Sequence, residues 1–99
     1  MFPPHLHLAK LDVMKIGQPQ AFHEVLVITP LRFDQGAEAV LAVREQRIVV
    51  LNLTAMEPSL AQRTADFVSG GVRALDGQEH RVGDQVLLFA PANVDVNLS

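Results

Sequence analysis

Apolar and polar positions change period several times along this chain, and each change marks an element. In "EVLVITP", Glu24 to Pro30, four successive aliphatic residues end near a proline, the pattern of a short buried strand. "FDQGAEAVLAVREQ" then moves to helical period. Phe33, Ala37, Val40 and Leu41 recur at i, i+4, i+7 and i+8, and Asp34 is placed to cap the first turn. "RIVVLNL", Arg47 to Leu53, returns to strand. In "TAMEPSLAQRTADFVSGGVRAL" the helical period resumes, with Pro58 suited to a first turn. Leu60, Thr64, Phe67, Val68, Gly71, Val72 and Leu75 lie along one face of it, and Asp76–Gly77 stops it. "QEHRVG", "QVLLFAP" and "VDVNL" close the chain as three short strands, the first two joined by a turn at Gly83–Asp84.

The expected order is therefore β-α-β-α-β-β-β, with a right-handed crossover between the first two strands. This is an α/β two-layer sandwich (α+β), a mixed sheet of about five strands with two helices on one face. Residues 24–99 form the core domain and residues 1–23 an N-terminal arm, set off by the early prolines and by Gly17-Gln18-Pro19. Within the arm, Leu6, Leu8, Leu11, Val13, Met14 and Ile16 would point nearly all round a helix axis, and an irregular strand fits them equally. Neither has the one-sided stripe of a membrane-surface helix.

Three strand runs, Val25 to Ile28, Ile48 to Leu51 and Val86 to Phe89, are apolar at every position, as in strands covered on both faces. Two helices cover one face. The other face predicts a second copy of the same sheet laid against it, hence a homo-oligomer.

"RTADFVSGG" sharpens that expectation. Adjacent glycines inside a helix each cost about 1 kcal/mol relative to alanine, so close packing should account for them. With Phe67, Val68 and Val72 turned to the sheet, Gly71 meets the strands. Gly70 falls on the flank near Arg63, Asp66 and Arg73, where contact with another subunit explains it best.

Composition narrows the function. The chain has 99 residues, 48% of them hydrophobic, and a formal charge of −3, which disfavours broad attraction to nucleic acid or anionic lipid. Five Phe without Trp or Tyr leave few platforms for stacking bases. The absence of cysteine fits a reducing cytoplasm and removes one class of nucleophile. No phosphate-binding loop, dinucleotide fingerprint or nucleophile-elbow serine occurs, so no enzyme, cofactor or metal centre is expected. His5 and His7 lack a second ligand cluster and read as a mobile tail. Arg63 with Asp66 reads as a solvated i, i+3 pair, and His80, Arg81 and Asp84 as surface polar residues.

Taken together, "VLVITP" and "RIVVLNLTAMEPSLAQRTADFVSGGVRALDGQEHRVGDQVLLFAPANVDV" resemble the core domain of the SepF family of bacterial cell-division proteins. The strand ending in Asn52–Leu53, the Pro-led helix, Arg63, "DFVSG" at Asp66 to Gly70, the Gly77 turn and "APANVDV" occur in the family's order, from Glu24 to Val96. The resemblance implies a cytoplasmic adaptor at the division site. Such an adaptor dimerises, polymerises and grips the C-terminal tail of the tubulin-like FtsZ. It assigns the tail groove to Arg81 and Leu87, where leucine replaces the family's aromatic. It assigns self-association to Gly70, and Gly71 and Phe67 are its neighbours on that helix. Family members also begin with an amphipathic membrane-targeting helix and a linker, a pattern that residues 1–23 do not show. Two further readings stay open at this level: a self-assembling protein without FtsZ binding, and a small-ligand-binding regulatory domain.

Overall fold

A computed structural model describes residues 3–15 and 21–96. The strands are β1 (Leu6–Lys15), β2 (Ala21–Ile28), β3 (Ile48–Asn52), β4 (Gln78–Gly83), β5 (Val86–Ala90) and β6 (Val94–Val96). The helices are α1 (Phe33–Arg44) and α2 (Pro58–Ala74). The expected core order is present in full. The arm adds a sixth strand, and the sheet runs β4-β5-β3-β2-β1-β6.

Only β2 and β3 are parallel, joined through α1; the other pairs are antiparallel. The alternating leucines of β1 account for its pairing. Leu6 lies opposite Ile28 and Leu8 opposite Leu26, and both leucines pack on the core beneath the helices. The end of the arm read as a mobile tail is tied down. The His5 carbonyl accepts from the Thr29 N–H at 2.8 Å, and its imidazole Nε2 meets Glu38 of α1.

Each face of the sheet has its own core. Under the helices, Leu26, Ile28, Val49, Leu51, Leu87 and Phe89 meet Ala39, Ala42 and Val43 of α1 and Ala61, Val68 and Val72 of α2. The opposite face gathers Val25, Ile48, Leu88, Ala90 and Val94, with Val50 and Val96 against them. Here the structure covers part of the face expected to be open, while Val27, Val50 and Val86 stay partly exposed. Val25 is 3% exposed, Ile48 1%, Leu88 2% and Val94 4% within a single chain. The chain's own last segment joins this face, anchored by Gln78 Nε2, which donates to the Pro91 carbonyl at 2.8 Å and also to that of Val94. Large apolar side chains left exposed include Leu31, Leu41, Phe67, Leu75 and Val82, on the helix layer and near the β4 edge.

The helices begin and end for local reasons. In α1 the N-cap is Arg32 rather than Asp34. The Gln35 side-chain oxygen reaches back to accept from the Leu31 and Arg32 N–H groups at 2.8 and 3.2 Å, closing the first turn. Asp34 instead pairs with Arg32, whose guanidinium holds the Asp34 carboxyl below its ordinary range. The buried residues of α1 are Gly36, Ala39, Ala42 and Val43, not the Phe33, Ala37, Val40 and Leu41 stripe. Small residues face inward because α1 is pressed against both α2 and the sheet. In α2, Pro58 occupies the first turn and Glu57 caps it, accepting from the Ser59 and Leu60 N–H groups at 3.2 Å each. At the other end Asp76 takes φ 60° and the Gly77 N–H returns to the Val72 carbonyl at 2.9 Å, the expected stop.

Candidate functional site

The residues expected to matter fall into two places, a notch beside the β4–β5 hairpin and the outer surface of α2.

Arg81 and Leu87 are direct cross-strand partners, so the antiparallel register of β4 and β5 brings them onto one face. Both line a notch completed by Leu53, Pro58, Ala61 and Ala65, with Gln62, Asp84 and Gln85 at its polar rim. Leu87 is 3% exposed and forms part of the floor, while Arg81 is exposed at the mouth. The notch encloses about 90 Å³. That is well below the few hundred Å³ of a typical small-ligand site. Arg81 is held in place by its neighbouring turn, where Nη1 donates to the Asp84 carbonyl at 2.7 Å. A guanidinium has five N–H donors, so further donors remain for an incoming carboxylate.

On the rim, Gln62 Nε2 donates to Asp66 Oδ1 at 2.8 Å. This replaces the expected Arg63–Asp66 pair. Sequence reasoning missed Gln62, Asp84 and Gln85 as rim residues. Pro58, Ala61, Gln62 and Ala65 at helical spacing beside the β4–β5 turn were the available signal.

The two glycines of α2 separate clearly. A side chain built on Gly71 would put its Cβ 2.8 Å from Val40 Cγ2, so Gly71 meets α1 and not the strands. The helix-to-sheet contact expected for it belongs to Val68 and Val72. A Cβ built on Gly36 of α1 would come closer still to the Thr64 methyl, and the two glycines let α1 and α2 cross tightly. Thr64 is fully buried and satisfies its hydroxyl by donating to the Leu60 carbonyl at 2.8 Å. Gly70, by contrast, has nothing within 4 Å of a built Cβ and stands on the exposed side of α2, the flank expected for it. Phe67 does not face the sheet. Its ring is 50% exposed and meets Phe33 edge-on, with centroids 5.1 Å apart and planes at 65°. The α2 surface thus carries a half-exposed aromatic three residues from a bare glycine.

No group of three or more His, Cys, Asp or Glu residues placed to hold a metal occurs among the described residues. No helix is long and apolar enough to cross a membrane. His80 Nε2 lies 3.1 Å from Gln78 Oε1 on β4.

Known proteins resemble this chain over most of its length. A family model described as "Cell division protein SepF" matches residues 25–96. A protein named Cell division protein SepF from Trichormus variabilis is 48% identical over 85 residues, covering 83% of this chain and 43% of the relative. Its counterpart from Synechococcus sp. (strain RCC307) is 49% identical over 84 residues, covering 82% of this chain and 46% of the relative. One from Prochlorococcus marinus is 48% identical over 87 residues, with 85% and 46% covered. The chain therefore spans less than half the length of these relatives. The matched region holds both helices, β3 to β6, the second half of β2, Arg81, Leu87 and the α2 glycines, and this chain belongs to the SepF family of cell-division proteins.

Proposed function

We propose that this chain is a non-enzymatic adaptor of cell division, which self-associates and binds an extended peptide in the notch between α2 and the β4–β5 hairpin. The C-terminal tail of FtsZ is the partner that family membership favours, at the cytoplasmic side of the division site. The observation that carries the reading is the register pair Arg81–Leu87. It sets an exposed guanidinium in a mostly polar notch backed by Leu53, Ala61, Ala65 and Leu87, a complement to a peptide with an acidic side chain and a small aliphatic contact. So small an interface binds weakly per site, and assembly of many copies multiplies it.

Arg81→Glu tests the site. Reversing a charged hydrogen-bonding partner weakens binding of the FtsZ tail peptide by about tenfold to a hundredfold, read by fluorescence anisotropy. Unchanged affinity removes Arg81 from the groove. Self-association is assigned to the exposed face of α2, where Gly70 leaves open surface beside Phe67. Gly70→Lys should leave folding intact and abolish higher assemblies in light scattering; unchanged assembly counts against that face.

One observation favours a second reading, a scaffold without tail binding. Leu87 is buried and aliphatic, so the floor offers a peptide less surface than an exposed aromatic would. Co-sedimentation with FtsZ separates the two readings.

A further inference from the structure

β4 is the outermost strand of the sheet on the side away from β1, and its far edge pairs with no strand among the described residues. Such an edge carries a row of N–H and C=O groups ready to accept another strand. Edges are commonly guarded by charges of one sign, which repel an approaching copy. Here the guard has mixed sign: Glu79 and Arg81, two residues apart, share a face of the strand, and both are exposed. We propose that this edge docks a second copy of the chain, β4 against β4, antiparallel about a two-fold axis at His80. The proposal deepens the self-association reading, on which it rests, by naming where one pair of copies meets.

The register follows from charge. With the axis at His80, Glu79 lies opposite the partner's Arg81, and the partner's Glu79 lies opposite Arg81. An isologous contact thus makes the same ion pair twice. Moving the axis to Glu79 sets two carboxylates face to face, and moving it to Arg81 sets two guanidinium groups face to face. Like charges directly opposed destabilise a strand pair, so both neighbouring registers on this face are disfavoured. The irregularity in the ladder between Arg81 and Gly83 marks the end of the regular strand, limiting the pairing to Gln78–Arg81 and the exposed Val82 beside it. The result is one continuous sheet with six strands from each copy. Four residues a side bury less than a permanent dimer requires, so this contact is weak alone and gains strength within a larger assembly.

Arg81 belongs to both this edge and the peptide notch, whereas Glu79 does not line the notch, and that difference gives the test. Three variants are compared with wild type by sedimentation velocity, after circular dichroism and thermal melts establish that each is folded. They are Glu79→Arg, Arg81→Glu and the double exchange. Each single reversal should weaken self-association by about tenfold or more, since it replaces two attractive pairs by two repulsive ones. The double exchange, which restores opposite charges, should return to within about threefold of wild type. Glu79→Arg should still bind the FtsZ tail peptide, and the double exchange should assemble without binding it. Single reversals that assemble like wild type, or a folded double exchange that stays dissociated, overturn the β4 contact and leave the wider self-association reading standing. A wild-type chain that stays monomeric overturns both, while tail binding is judged separately by the anisotropy measurement.

Discussion

Gly70 and Gly71 are chemically identical neighbours with opposite roles, and only their surroundings distinguish them. At Gly71 the missing side chain is filled by Val40, a β-branched residue with little freedom to turn aside. Gly71→Leu is therefore expected to destabilise the fold by about 1–3 kcal/mol through overpacking of the α1–α2 crossing, measured by urea denaturation. At Gly70 a methyl group meets open space, so Gly70→Ala should stabilise the monomer by up to about 1 kcal/mol from helix propensity alone. Opposite signs at adjacent positions would be hard to obtain from any other placement of α2. The helix face was misjudged at this scale for the same reason. Phe67 looked like core because it is large and apolar, but Gly36 and Gly71 bring the helices so close that the Phe33–Phe67 pair is left at the border of the crossing.

The elements themselves were legible where a backbone rule fixes them. Pro58 has no N–H to lose in a first turn, and Asp76–Gly77 supplies the reversal that ends α2. Glu57, immediately before Pro58, is the cap. Its carboxylate accepts from Ser59 Oγ and from the Ser59 and Leu60 N–H groups, and these bonds hold it below the ordinary glutamate range. A carboxyl with a lowered folded-state pKa contributes stability that is present above its unfolded value and lost as pH falls through its folded value. Glu57→Ala should accordingly lower Tm at neutral pH, and the gap from wild type should narrow as the solution is acidified below the ordinary glutamate range. A gap that stays constant would mean the charged cap adds nothing. The N-cap of α1 was misread because Asp34 is a common capping residue. Gln35 closes that turn instead, satisfying two backbone N–H groups at once.

For the whole molecule, the decisive feature is how the second face of the sheet is covered. Pro91 to Val96 turns back and sets Val94 among Val25, Ile48, Leu88 and Ala90, so one chain buries part of what two copies were expected to bury, and Val27, Val50 and Val86 stay partly exposed. Val94→Ala should cost about 1.5–3 kcal/mol, the loss of two buried methyl groups plus the space they leave, and should raise binding of a hydrophobic dye. If Val94→Ala melts like wild type, the last segment does not contribute to this core. The proposed self-association would draw on the Phe67–Gly70 side of α2 and on the β4 edge.

What the amino-acid sequence determined by itself is local. The runs of aliphatic residues, the helical spacings and the proline and glycine punctuation each depend on residues close together in the chain. Strand order, the inward face of α1, the tight helix crossing and the burial of the second face depend on which distant segments meet. Those were decided by tertiary structure, because an apolar side chain records that it must be covered but not by what.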